Sequence, residues 1–383
     1  MTLHAFQTER IFDGEGFRDG ALLTAGGVVL AIVPSADVPA AARRTDLGPG
    51  LIAPGFVDLQ VNGGGGVMLN DDPTPDLVAT IARAQAQRGT TALLPALITD
   101  RPDVTRAAVA AVEGAVAAGV RGVAGLHLEG PHLAPARKGA HEAGLIRPMG
   151  EGDLAFLLDA ARRLPRLVVT LAPESATPGQ IAALAGGGVV VSLGHSDAGF
   201  EAARAAMEAG ARMVTHLFNA MSQLGNRDPG LVGAALSSRA VSAGLIADGV
   251  HVHPETIRTA LAAKRGPGTI FLVTDAMAVA GTGLAGFTLN GRAIGRHDGR
   301  LTLADGTLAG ADIDFAGSLR LLTGGVGVPL EVALAMATSG PARAAGLIDR
   351  HGLLRPGRRA DFVHLRPDLT LAGAWQGGEP AAA

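Results

Sequence analysis

Residues 53–67 read APGFVDLQVNGGGGV, and the pattern of the chain changes at this stretch. Before it, the first 50 residues read as short alternating strands with turn signals at DGEG and AGG, the text of a small hairpin-built β unit. From residue 51, apolar strand-like runs alternate with Ala-rich helical segments, as βα units of a parallel sheet do. The strand candidates are GLIAPGFVDLQV, TALLPALIT, GVAGLHLEG, LVVTLAP, GVVVSLGHS, MVTHLFNAM, SAGLIADGVH and TIFLVTDAM. Helical segments separate most of them, among them 76–88, 102–119 and 198–210.

Eight such strands within about 225 residues predict an α/β fold, a TIM-like (β/α)8 barrel. After residue 283 β-like text returns, helical stretches follow at 313–323 and 330–344, and the end of the chain is β again. The expected division is a small β-sandwich domain made from residues 1–50 and 346–383, carrying a barrel of residues 51–345 with a β-rich excursion near 284–312.

The totals agree with a large packed core. The chain has 383 residues, 48% hydrophobic and 17% charged, with a net charge of -3. Acids and bases are mixed, which offers no electrostatic case for nucleic acid or an anionic membrane. With no cysteine, a metal would have to be held by histidine and carboxylate. The start, MTLHAFQTER, lacks a basic region followed by an apolar one, and no uncharged apolar run reaches bilayer-spanning length. The expectation is a cytoplasmic protein.

The informative residues are polar ones at strand ends. His127 and Glu129 lie two apart in GLHLEGPH and project from one face of their strand. His195, His216, His251 and Asp275 each follow an apolar run, at the end of the strand where barrels of this class build active sites. One such histidine is commonly a core or capping residue. Several together with two carboxylates call for a compensating cation, because a buried unpaired carboxylate is costly. Two other motifs compete. GTGLAG at 281–286 matches a dinucleotide fingerprint but precedes strand-like text, so it reads as a loop. GHSDA at 194–198 resembles a nucleophile elbow with Ser196 as nucleophile, though Ala198 stands where glycine is expected.

The set PGFVDLQVNGGGGV, GLHLEGPHL, KGAH, SLGHSDA, THLFNAM, LVTDAM, GTLAG and GLLRPGRRADFV resembles the N-acetylglucosamine-6-phosphate deacetylase family of the amidohydrolase superfamily, from residue 54 to 363. The resemblance implies metal-dependent hydrolysis of the acetamide of N-acetyl-D-glucosamine 6-phosphate to D-glucosamine 6-phosphate and acetate, in amino-sugar catabolism and recycling. The galactosamine isomer or another N-acyl sugar is the alternative, and an inactive sugar-phosphate-binding barrel a more distant one.

It also implies one divalent metal per subunit, held by Glu129, His195 and His216. Zinc suits this set, and Fe2+, Co2+ or Mn2+ would fit a similar site. Asp275 then matches the acid/base and His141 the residue polarising the acetamide carbonyl. Ala140, Asn219, Ala220, Arg227, His251, Leu308, Ala309 and Gly310 match substrate contacts. The family is a homodimer in which the residue matching Arg227 reaches the neighbouring active site.

Gln60 and Asn62 occupy the place where two-metal relatives carry His-x-His. Neutral amides ligate zinc poorly, so a second metal position is expected empty and the amides free for hydrogen bonding. The glycines beyond them are expected to let backbone approach the sugar. Four alternatives stay open: Glu129 pairing with Lys138, His127 as ligand, His251 as a strand cap, and Arg227 as a surface residue. Departures from the pattern are Ala311 after GTLAG, where serine is expected, and the NRDPG turn at 226–230.

Overall fold

A computed structural model describes residues 2–381 of the chain. Its centre is a sheet of eight parallel strands: β1 (Phe56–Val61), β2 (Thr90–Ile98), β3 (Leu126–Glu129), β4 (Leu167–Leu171), β5 (Val190–Leu193), β6 (Met213–Val214), β7 (Ser242–Leu245) and β8 (Ile270–Leu272). Each pairs with the next in chain order. Beyond β8 the chain returns to β1: Val61 bridges Ala276, and the Asp275 N–H donates to the Gln60 carbonyl at 3.1 Å. That closure makes the expected barrel, and nearly every strand residue is buried because helices cover the outside.

The helices start where local chemistry dictates. Pro75–Ala86, Pro102–Ala117, Pro178–Gly186 and Pro254–Ala263 begin with proline, whose missing N–H has no partner in a first turn anyway. Thr177 and Gln180 close a capping box on the third of these. The helix expected over 330–344 is two, Leu330–Ala337 and Ser339–Ala344. Pro341 explains the break, since it cannot donate to the carbonyl of Ala337 and its ring crowds that turn.

The apolar run 51–62 is likewise two strands. Leu51–Pro54 pairs antiparallel with Phe362–Leu365 and parallel with Arg10–Phe12 in a six-stranded sheet, while β1 starts at Phe56. Gly55 separates them because a Cβ there would sit 1.9 Å from Thr91 Oγ1. Strands from both ends of the chain therefore share one sheet. A four-stranded sheet of residues 4–7, 21–25, 28–33 and 43–46 packs on it. The seam is aromatic: Phe362 stacks on Trp375 at 4.8 Å, and Phe6 of the other sheet meets Phe362 edge-on at 4.8 Å.

The β-rich excursion is an antiparallel meander of Gly286–Leu289, Arg292–His297, Arg300–Thr302 and Leu308–Ala311. It docks beside the barrel mouth through a bridge between Ala276 and Ala311, and Arg292 donates to the Ala140 carbonyl. The four glycines continue from the end of β1, where the Gly63, Gly65 and Gly66 N–H groups donate to the carbonyls of Ala276, Ala280 and Ala278. Gly63–Gly64 pairs with Val67–Met68 in a tight hairpin against the first helix, where Gln85 donates to the Gly63 carbonyl at 2.9 Å. A Cβ at Gly63 would lie 2.4 Å from the Val67 carbonyl oxygen, so the glycines serve packing.

Candidate metal centre and substrate cavity

The ends of β3, β5, β6 and β8 converge on Glu129. Its Oε1 lies 3.1 Å from His216 Nε2 and 3.3 Å from His195 Nε2, and its Oε2 lies 3.6 Å from His141 Nε2. The two imidazole nitrogens of His195 and His216 are 3.0 Å apart. His195 Nδ1–H donates to the Arg137 carbonyl at 2.9 Å, which leaves Nε2 a lone pair aimed at the cluster. His141 Nδ1 faces both the Thr99 N–H, at 3.3 Å, and the Thr99 hydroxyl, at 2.8 Å. The backbone N–H can only donate, so this network assigns the His141 proton to Nε2.

All four side chains are buried, and Glu129 is 3% exposed. Burial opposes its charge, but the imidazoles of His141, His195 and His216 hold its pKa well below the usual carboxylate value. A buried anion ringed by imidazole nitrogens, with no lysine or arginine partner among the described residues, fits a divalent cation of borderline softness. Glu129, His141 and His195 present ligand atoms within 4.8 Å of one another. His216 stands as near to two of them, whereas His141, with Nδ1 occupied by Thr99 and its proton on Nε2, faces the cluster as a donor.

Asp275 follows β8 with its backbone at φ 50°, and His195 and Ala220 share that sparsely populated region at 47° and 48°. Asp275 Oδ1 accepts from Asn62 Nδ2 at 2.6 Å and from Gln60 Nε2 at 3.2 Å. Gln60 Nε2 also donates to Glu129 Oε1 at 2.9 Å, while its Oε1 accepts from the Thr215 hydroxyl at 2.6 Å. The two amides are donors wedged between two carboxylates. Burial, and then the charge of Glu129, pushes the Asp275 pKa up to about 6.

The other candidates separate cleanly. His127 is committed at both nitrogens, to the Leu59 carbonyl at 2.8 Å and the Thr170 hydroxyl at 2.7 Å, so it straps three strands together. Lys138 contacts the Gly139 carbonyl and makes no ion pair with Glu129 among the described residues. Ser196 is buried and its hydroxyl donates to Glu174 Oε2 at 2.8 Å; among the described residues it makes no hydrogen bond to the imidazole a serine nucleophile needs. His251 lies beside the cluster with Nδ1 bound to Asp248 Oδ2 at 2.6 Å.

Over this floor lies a cavity of about 360 Å³. Glu129, Ala140, His141, His195, His216, Asn219, Ala220, His251, Asp275, Leu308 and Gly310 line it. Ala309 faces the other way and is buried, as strand alternation between Leu308 and Gly310 requires. Arg227 is exposed on the 222–229 loop and does not line the cavity of its own chain. Sequence reasoning missed Thr99, Thr215 and Arg137. The first ends an apolar strand and the second precedes His216, the same strand-end signal that marked the histidines.

Residues 51–382 match the amidohydrolase family. The chain belongs to that family. Its similarity extends to the N-acetylgalactosamine-6-phosphate deacetylase of a Shewanella species, 42% identical over 86% of this chain and 83% of the relative. The N-acetylglucosamine-6-phosphate deacetylase of Haemophilus influenzae is 33% identical over 94% of each chain. The crystal structure of N-acetylglucosamine-6-phosphate deacetylase from Pasteurella multocida superposes with a TM-score of 0.95, at 34% identity and full coverage of both chains. Within the amidohydrolases the chain therefore belongs with the amino-sugar phosphate deacetylases, and it is a hydrolase.

Proposed function

We propose that the chain hydrolyses the acetamide of N-acetyl-D-glucosamine 6-phosphate, releasing acetate and D-glucosamine 6-phosphate. The observation that carries the reading is the placement of Asp275, a carboxylate of raised pKa, beside the Glu129–imidazole cluster on one cavity floor. The galactosamine isomer is the second reading, favoured by the 42% identity to the Shewanella enzyme.

Glu129, His195 and His216 are read as ligands of one divalent ion, zinc by the chemistry of the set, with iron(II), cobalt(II) and manganese(II) as other ions it accommodates. Such an ion supplies Lewis acidity and a water of lowered pKa. Asp275 takes the proton of the attacking water and returns it to the departing amine. Because Asn62 and Gln60 saturate Oδ1, the proton travels through Oδ2. His141, held by Thr99 with its proton on Nε2, donates to the oxygen of the tetrahedral intermediate. Asn219, Ala220 and His251 contact the sugar phosphate, Ala140, Leu308 and Gly310 form the walls, and Ala309 packs behind them.

We read the chain as a homodimer in which Arg227 reaches the neighbouring cavity. Leu224, 58% exposed on the same loop, is an apolar contact such an interface would cover. No helix of the described residues is long and apolar enough to cross a membrane. A cytoplasmic site of action agrees with a charged substrate. Residues 1–50 and 346–383 act in this reading as one small domain that carries the barrel.

The test is acetate release from the two N-acetylhexosamine 6-phosphates and their unphosphorylated forms, with metal analysis before and after chelation. Full activity in protein holding less than about half an ion per subunit would overturn the ligand assignment. A higher kcat/KM for the galactosamine substrate would exchange the two readings.

A further inference from the structure

We propose that Arg137 anchors the substrate phosphate from within the same subunit, an inference that rests on the deacetylase reading above. A dianionic phosphate entering a cavity with Glu129 and Asp275 on its floor needs fixed positive charge. Among the described residues lining the cavity, Arg137 is the one arginine or lysine. Arg227 is exposed and lies off this lining.

The backbone of Arg137 is rooted in the cluster. It ends the turn Pro135–Arg137, its N–H donates to the Ala134 carbonyl at 2.9 Å, and its carbonyl accepts from His195 Nδ1 at 2.9 Å. Its guanidinium is oriented from one edge only. Nε donates to Asp197 Oδ1 at 2.8 Å, and Nη2 lies 2.8 Å from the same oxygen in an ion pair. Asp197 is itself fixed, because its N–H donates to Glu174 Oε1 at 2.7 Å. Nη1 has no hydrogen-bond partner among the described residues and remains available to an incoming oxyanion.

The position suits the sugar's far end. A Cβ placed on Gly139 would lie 3.4 Å from His195 Cε1 and 3.9 Å from Ala220 Cβ, so the turn carrying Arg137 packs between the cluster and the Asn219–Ala220 segment. An arginine held at one edge by a carboxylate, presenting its other edge, is pre-organised for phosphate in a way that a lysine is not. The rival role is a tether that merely ties the 135–137 turn to Asp197.

The experiment compares kcat/KM for N-acetylglucosamine 6-phosphate and N-acetylglucosamine in wild type, Arg137→Met and Arg137→Lys. The ratio of phosphorylated to unphosphorylated substrate should fall at least ~10-fold in the methionine variant, chiefly through KM, with lysine restoring part of it. The inhibition constant of inorganic phosphate should rise in parallel. Equal losses on both substrates would make Arg137 a tether and overturn the proposal, as would an unchanged ratio. If the methionine variant fails to fold, Arg137→Lys decides, since loss of the fork must still lower the ratio several-fold. If the wild type releases no acetate from either substrate, the deacetylase reading fails. Calorimetry with glucosamine 6-phosphate then still reports whether Arg137 holds the phosphate.

Discussion

Asn62 Nδ2 lies 2.6 Å from Asp275 Oδ1, joining the end of the first barrel strand to the residue just beyond the eighth. The contact does two jobs at the barrel's closure. It occupies one oxygen of a carboxylate that carries its proton weakly at neutral pH, and it turns the other oxygen to the cavity. Gln60 donates to the same oxygen and to Glu129, so a pair of neutral amides supplies donors to two buried carboxylates.

Replacing Asn62 by aspartate keeps the shape and reverses the interaction. A second carboxylate within hydrogen-bond distance of Asp275 raises its proton affinity and removes the donor that orients it. We expect Asn62→Asp to lower kcat by about 100-fold with KM changed little, since general acid–base catalysis is worth about 10²–10⁴. Steady-state kinetics on the phosphorylated substrate, with metal content measured in parallel, checks this. A variant with wild-type kcat would remove Asn62 from the mechanism.

Asp275→Asn tests the acid/base itself. Glu129, His195 and His216 are untouched, so metal content should stay at the wild-type level while kcat drops by about 10³-fold or more. Metal analysis and turnover on one preparation give the answer. Substantial retained turnover would sink the assignment, and loss of the ion would recast Asp275 as a ligand.

Far from the cavity, His351 sets an acid limit on stability. Burial depresses its pKa to about 4, against which the Asp361 carboxylate 3.8 Å away pulls upward. Above the unfolded value of ~6.5 both states are neutral and the residue contributes nothing to pH dependence. As pH falls from there to about 4, the unfolded chain takes up a proton the folded chain refuses, so stability is lost over that window. The full loss is about 3 kcal/mol and complete below the folded pKa. His351→Gln should show a smaller fall in urea midpoint between pH 6.5 and pH 4. Parallel curves for the two proteins would contradict it.

Much of this site could be read from the sequence because of how a parallel barrel buries its strands. Covered on both faces, they appear as apolar runs, and a histidine or carboxylate ending one stands out: Glu129, His195, His216 and Asp275 were visible in this way. Hydrogen-bond partners were not. Thr215 and Gln60 are 155 residues apart, and no periodicity links them. Nor could composition show that His127 spends both nitrogens on neighbouring strands, or that four glycines would fold into a hairpin against a helix. The boundary at Gly55 was hidden because residues on either side are equally apolar, and the break is imposed by Thr91 on the next strand.

Thr215 carries the last prediction because a single hydrogen bond determines which way Gln60 points. A primary amide has a donor end and an acceptor end of nearly equal size. The Thr215 hydroxyl donates to Gln60 Oε1 at 2.6 Å, which obliges Nε2 to face Glu129 and Asp275. Thr215→Val removes that donor and keeps the packing volume, leaving a buried acceptor unsatisfied, at a cost of about 1–3 kcal/mol. The amide then loses its bias, and a flipped Gln60 would aim oxygen at two carboxylates. We expect kcat to fall about 10-fold with KM little changed and melting temperature lowered by a few degrees, about 2–4 °C per kcal/mol for larger domains. Thr215→Ser, which restores the hydroxyl without the methyl group, should recover most of kcat. If serine and valine lose activity equally, the methyl group's packing matters and the hydrogen bond does not.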